Sequence, residues 1–297
     1  MDHDERLRLA ADLTERLLER YGATIAAVGV HGSVARGDDG EESDLDLAVV
    51  TTGPEVEVPD RYLRHRGTVV DLGAIAADAY LEEAGHIGPA WPLAADQYVN
   101  HLAVHDPGGF FHKLTHVHQA AVEEAAPEVF AAAAGVDLVQ LLSWDAKARA
   151  AELAGDLPTT LLAVKEAAVL AALVVGLHTR TAYRNLPHAL HATAATEAPG
   201  PTFGPAYRRL LDPTADPAVQ VLALGRARDA LLALADRDGI PDEAAGLESF
   251  LEASAAQVEL DRVGHGGGVA REAEQDARAA ARQPAQPQVP EAGSGRG

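Results

Sequence analysis

The chain is 297 residues long and carries 24 basic against 45 acidic side chains, a formal net charge of −21. A field of that sign repels a phosphate backbone, and the basic residues gather only in the short Arg61, Arg64, Arg66 group, so no nucleic-acid partner is expected; such a field would draw in a small cationic ligand, but on charge alone solubility is the favoured reading. With 47% hydrophobic and 23% charged residues the bulk is globular, and the lack of cysteine excludes disulfides, thiolate metal sites and cysteine nucleophiles.

Residues 4–21 place Leu7, Ala10, Leu13, Leu17 and Tyr21 three and four apart, which predicts an amphipathic helix ended at Tyr21-Gly22. The same stretch mixes charge with Leu and Ala and has no continuous apolar centre, so no export signal is read and the cytoplasm is the expected compartment. Ile25–His31, Leu45–Thr51 and Thr68–Ile75 are short Val- and Ile-rich runs that predict strands, and 97–105 is either a fourth strand or a buried loop. Together these predict one helix on a small mixed sheet. Beyond Pro107 the texture is helical, over about 109–125, 127–153, 158–182, 186–195, 203–212, 217–237 and 242–261, with breaks at proline and glycine. The longest apolar run there, Ala167–Leu177, is eleven residues. A membrane-spanning helix needs about 20, so no membrane contact is expected. The tail from Gly264 is rich in Gly, Ala, Pro and Gln without apolar periodicity, too poor in burial to offset its ordering entropy. The organisation expected is α+β: a small mixed-sheet domain over 1–106, an all-helical domain over 107–262 and a disordered tail over 263–297.

The segment that carries chemistry is His31-Gly32-Ser33-Val34-Ala35-Arg36-Gly37, an acidic loop, then Ser43-Asp44-Leu45-Asp46-Leu47. Gly32 ends a strand and lets the backbone approach a phosphate closely. Ser33 adds a hydroxyl and an N–H at the start of a short helix, and Arg36 places a fork of donors one turn on. Asp44 and Asp46, two apart on a strand, point to one face while Leu45 and Leu47 face the core. Asp71 lies amid apolar neighbours on the next strand. Three carboxylates on one sheet face raise each other's pKa, and divalent cations relieve that penalty. Magnesium takes few protein carboxylates and completes its shell on substrate phosphates; two such ions activate an attacking hydroxyl and stabilise a leaving pyrophosphate. The set points to nucleotidyl transfer from a nucleoside triphosphate. Taken singly, each part has a plainer reading: a common turn, and an edge strand guarded by charge. The loop Asp38-Asp39-Gly40-Glu41-Glu42 is read as solvated. His112 and His116, with His118 near, read as helix surface rather than zinc ligands because no adjacent Glu or third ligand accompanies them.

The run Gly32-Ser33…Ser43-Asp44-Leu45-Asp46-Leu47 resembles the signature of the DNA polymerase β-like nucleotidyltransferase superfamily. Trp91-Pro92-Leu93, Asp106-Pro107-Gly108-Gly109-Phe110, Pro158-Thr159-Thr160 and Gly176-Leu177-His178-Thr179-Arg180 with Ala182-Tyr183 narrow the likeness. In that order they resemble the kanamycin nucleotidyltransferase, or aminoglycoside 4'-O-nucleotidyltransferase, group over about residues 20–250. The resemblance implies Asp44, Asp46 and Asp71 as ligands of Mg²⁺, with two ions expected. It implies Gly32, Ser33 and Arg36 as triphosphate contacts, ATP or another NTP as co-substrate, and an aminoglycoside as the acceptor. Asp71 would also lie near that acceptor. The family's helical glutamate base and the lysine one turn on fall, counted back from Pro158-Thr159-Thr160, on Asp145 and Arg149. Both are departures in residue type. Read from the residues alone, Asp145 and Arg149 at i, i+4 form an ordinary surface ion pair; read with the family, they are base and phosphate clamp. A homodimer is implied by the resemblance alone. Glu57, Asp60, Glu123 and Glu124 are further acidic candidates for a cationic substrate. A protein acceptor, as in toxin–antitoxin nucleotidyltransferases, or a non-catalytic nucleotide-binding regulator stands as the alternative.

Overall fold

The computed structural model describes residues 1–54, 58 and 61–241. The expected 242–261 helix, the tail, and the candidates Glu57 and Asp60 lie outside the described residues.

Helix α1 (His3–Tyr21) opens on a capping box in which the Asp2 carboxylate accepts from the Glu5 N–H and the Glu5 carboxylate from the Asp2 N–H. Strand β1 (Ile25–Val30) and the short α2 (Gly32–Arg36) follow, then β2 (Leu45–Thr51), β3 (Arg61–His65) and β4 (Thr68–Ala76). Two helices, α3 (Ala77–Ala84) and α4 (Trp91–Val99), lead to β5 (Leu102–His105). The sheet order is β3-β4-β2-β1-β5, with β2 and β4 parallel and the other pairs antiparallel. The sheet is therefore mixed, as expected, but wider. Charged, exposed β3 escaped the sequence reading because only Leu63 hints at a buried face. The segment 97–105 divides: its first part ends α4 and its last part is edge strand β5.

Period-two alternation sorts the strands cleanly onto two faces. Val28 and Val30 of β1 with Leu45, Leu47 and Val49 of β2 pack on Leu9 and Ala10 of α1. Ala27, Ala48 and Val50 pack on the other side, against Tyr80 and Ala84 of α3, Tyr98 of α4, and Phe110, Phe111 and Leu114 of α5 (Phe110–Glu124). The expectation of one helix on the sheet is thus corrected: helices cover both faces, α3 and α4 having been too short to show a period.

The bundle is built on the α6 (Pro127–Leu153) and α7 (Leu157–His178) hairpin, with α8 (Leu186–Ala195), α9 (Phe203–Leu210) and α10 (Pro217–Asp238) packed around it. Among the described residues α6 and α7 are long and apolar enough to cross a membrane by length and composition, which the unbroken-run argument did not foresee; 72% of the α7 window is buried within the fold. Its apolarity is accounted for as core: Ala163, Ala167, Ala171, Val174 and Leu177 pack in the same cluster as Leu138 and Leu141 of α6 and Leu224 and Leu231 of α10. Two of the motifs quoted above meet here. The Tyr183 N–H donates to the Pro92 carbonyl at 2.6 Å. A Cβ on Gly176 would come within 2.7 Å of the Tyr183 ring and 2.8 Å of Pro92, so only glycine fits that contact.

One acid in the bundle is costly. Asp137 of α6 is buried, no partner for its Oδ2 is found among the described residues, and burial pushes its carboxyl up to about 8. The folded chain then holds a proton that the unfolded chain releases near pH 4, so this group lowers stability progressively as pH rises from about 4 to about 8. Asp137→Asn should match the wild type in thermal unfolding near pH 4 and exceed it by ~1–3 kcal/mol at pH 8; a stability difference independent of pH would contradict this.

Candidate active site

Parallel pairing sets the centre of the site. In the β2–β4 register Asp46 stands directly opposite Asp71, and each shares its side of the sheet with the face that α3 and α5 cover further along. Beyond the end of that cover lies a cleft of about 420 Å³, a volume suited to a small molecule. Its lining includes Gly32, Asp46 and Asp71, the sheet residues Ala48, Gly73 and Ala74, Tyr80 and Glu83 of α3, Asp96 and Gln97 of α4, and Arg184. Asp44 precedes β2 and is exposed. Burial first, then the charges of Asp44 and Asp71, push the Asp46 carboxyl up to about 6, with Arg36 acting in the opposite sense.

The turn at Gly32 is fitted to these acids. Gly32 has φ +64, and a Cβ there would run into the Asp46 carboxylate. The His31 N–H donates to the Asp46 carbonyl at 3.0 Å, tying the turn to β2. Burial, with help from His101, pushes the His31 imidazole down to about 4, so it meets the cleft neutral, its Nε2 3.5 Å from the Tyr80 hydroxyl. Arg36 is gripped by Asp96 at 2.5 Å and by Asp38 at 3.2 Å. Asp96 in turn accepts from Asn100 at 2.7 Å.

The acidic loop after the turn is not simply solvated, which corrects the reading above. Arg6 of α1, 1% exposed, donates to Asp39 at 2.8 Å and to the carbonyls of Glu41 and Ser43 at 3.0 and 2.9 Å. His3 Nδ1 lies 2.6 Å from Asp39, and Asp38 pairs with Arg36 and, at 3.1 Å, with Arg184. One buried guanidinium thereby sets the path of the chain into Ser43-Asp44. No local pattern marks Arg6, because its partners lie more than thirty residues away.

Asp145 and Arg149 do not join this cleft. The Asp145 carboxylate is buried in the bundle, with Oδ2 held by Arg149 at 2.9 Å and by Arg228 of α10 at 2.5 Å. The pair is not the exposed bridge of the sequence reading, since α10 supplies a second arginine that closes over the acid. Glu123 and Glu124, exposed at the end of α5, are likewise absent from the lining. His118 is buried, its Nδ1 2.9 Å from the Ala84 carbonyl, while His112 and His116 are exposed. Sequence reasoning passed over Asp96, Glu83, Arg184 and Tyr62; the last lies opposite Asp71 on β3, largely exposed, with its phenol hydrogen-bonded to Asp71. Only the Trp91-Pro92-Leu93 run, just ahead of Asp96, gave a signal.

A cation fits this donor set in one specific way. Among the described residues no three acidic or imidazole side chains converge on a ready-made cage. The cleft offers the adjacent Asp46 and Asp71, and the repulsion that Asp44 and Asp71 exert on Asp46 is what a divalent ion would relieve. Magnesium suits that arrangement, being held by one or two carboxylates and otherwise by water and phosphate oxygens.

Residues 11–90 match the family described as nucleotidyltransferase domain. An aminoglycoside nucleotidyltransferase (4') of a Bacillus species is 29% identical over 185 residues, 62% of this chain and 71% of that protein. A protein of the same description from Staphylococcus aureus matches at 29% over the same shares. Among solved structures, a nucleotidyltransferase-like protein from Exiguobacterium sibiricum 255-15 has a TM-score of 0.48 at 15% identity, covering 86% of this chain and 90% of that one.

Because a cation binds the ionised acid, Mn²⁺ affinity measured by titration should fall as pH drops through about 6, approaching about tenfold per unit below the Asp46 pKa. A flat profile from pH 7 to 5 would exclude Asp46 as the ligand. Gly32→Ala, which drives a methyl into the same carboxylate, should weaken Mn²⁺ binding while leaving the far-UV spectrum unchanged.

Proposed function

Starting from a chain that carries a nucleotidyltransferase domain and is a transferase, we propose that it moves a nucleoside monophosphate from Mg-ATP to a hydroxyl of an aminoglycoside. The observation that carries this reading is the Asp46–Asp71 pair beside the Gly32 turn, in a cleft whose rim adds Glu83 and Asp96. The acceptor oxygen forms a bond to the α-phosphorus, the α–β phosphoanhydride bond breaks, and pyrophosphate leaves. Asp46 and Asp71 would hold magnesium, which when bound would supply charge neutralisation of the phosphates and acidify the attacking hydroxyl.

The protein's own groups do the rest. The backbone at Gly32, the Ser33 hydroxyl and the Arg36 fork receive the triphosphate, and Asp96 fixes the plane of that fork. Asp71 faces the acceptor side and takes the hydroxyl proton, with the Tyr62 phenol hydrogen-bonded to it. Asp145, already neutralised by two arginines, stabilises the bundle in this reading. The acceptor class follows from charge: a polyamine sugar is drawn to an acidic cleft on a chain of net charge −21. The named activity of the Bacillus and Staphylococcus aureus relatives points the same way.

Incubation with Mg-ATP and a panel of aminoglycosides should release pyrophosphate only when a sugar is present. Asp46→Asn should lower that rate by at least ~100-fold, more than loss of an outer-shell partner costs. Label from ATP appearing on protein with no sugar requirement would overturn the acceptor assignment.

A further inference from the structure

Arg184 is a cation without an assigned task, and its backbone is unusually well fixed for a loop residue. It follows Tyr183, whose ring is clasped between Gly176 and the bundle and whose hydroxyl lies 3.3 Å from both the Ala172 carbonyl and the Thr193 hydroxyl. Its own N–H donates to His188 Nδ1 at 3.3 Å, and Asn185 next to it caps α8 by accepting from the His188 N–H at 2.8 Å. The side chain, by contrast, is 54% exposed and lines the cleft.

Its partner is a single carboxylate beside the phosphate turn. Arg184 Nη1 meets Asp38 Oδ2 at 3.1 Å, while Arg36 reaches Asp38 with Nη2 at 3.2 Å and Nε at 3.4 Å. Two guanidinium groups, one from the turn after β1 and one from the α7–α8 connection, therefore converge on one anion. Asp38 itself is 39% exposed and follows Gly37, whose φ of +70 turns the chain back so that the Asp38 N–H donates to the Ser33 carbonyl at 3.1 Å. Solvent-exposed pairs of this kind hold weakly and yield to a stronger anion. A triphosphate carries several negative charges and arginine binds phosphate bidentately, so it is the stronger competitor.

We propose that Asp38 is a place-holder anion and that Arg184 is a second triphosphate-binding residue: the phosphates of an incoming nucleotide displace the Asp38 carboxylate and take over both guanidinium groups. This rests on the nucleotidyltransferase reading and deepens it. It also supplies, within one chain, the second cationic clamp that Arg149 does not provide, its guanidinium being turned onto Asp145.

Direct binding of Mg-ATP to the full chain, measured by calorimetry without acceptor, tests the proposal with opposite signs at the two residues. Arg184→Gln should weaken binding by about tenfold, the scale of one charge-assisted contact. Arg184→Lys should recover part of the loss. Asp38→Asn should tighten binding by about threefold or more, because the competing anion is gone. A plain tether between the loop and the bundle predicts that both variants weaken binding alike, and that result would overturn the proposal, as would an Arg184→Gln variant that binds as the wild type does. Both side chains are exposed, and equal thermal midpoints would verify that each variant is folded. Wild-type protein with no affinity for any Mg-NTP would instead bring down the transferase mechanism itself, whereas tight wild-type binding with an indifferent Arg184→Gln removes only this inference.

Discussion

Parallel pairing of β2 with β4 is the constraint on which the site depends. A parallel register with Leu45 opposite Val70 and Leu47 opposite Leu72 buries four apolar side chains against α1. The same register leaves Asp46 beside Asp71 on the opposite face, where the helices no longer cover the sheet. The core thus compels two like charges onto neighbouring register positions. Slipping either strand by one residue would relieve the repulsion only by turning the apolar set outward. The strain appears at Asp46, whose carboxyl holds its proton up to about 6. It is a local charge deficit that a cation can fill.

Arginine does much of the organising around that pair. With only three lysines in the chain, Lys113, Lys147 and Lys165, nearly every fixed cation is a planar fork. Arg6 holds the loop that delivers Asp44 and Asp46, and Arg36 is positioned by Asp96 and Asp38. In the bundle Arg228 and Arg149 neutralise the buried Asp145. The large net negative charge therefore hides a set of internal pairs. Asp46, Asp71 and Glu83, which line the cleft, have no ion pair among the described residues.

The strands β1, β2 and β4 and helices α1, α5, α6, α8 and α10 were legible because each carries enough apolar residues at its own period to announce a buried face. β3 was not: an edge strand bearing Arg61 and Arg64 has little to bury. The helices α3 and α4 complete barely two turns each and draw their burial from Tyr80, Ala84, Tyr98 and Trp91 packing on neighbours remote in sequence. At the site, Gly32, Ser33, Asp44 and Asp46 stood out because their spacing encodes a turn and a strand face. Asp96 and Arg184 did not, since they approach the turn only through the fold.

Local order settled the turn at Gly32, the side of the strand on which Asp46 stands, and the helices past Pro107 among the described residues. These are consequences of short-range sterics and of periods two and 3.6, which act between near neighbours in the chain. Partnership was decided elsewhere. Whether Asp39 meets water or Arg6, and whether Asp145 faces a cleft or Arg228, depends on which elements pack together. A carboxylate carries no mark of its future counter-ion, because the energy that pairs them arises only when distant segments exclude the solvent between them.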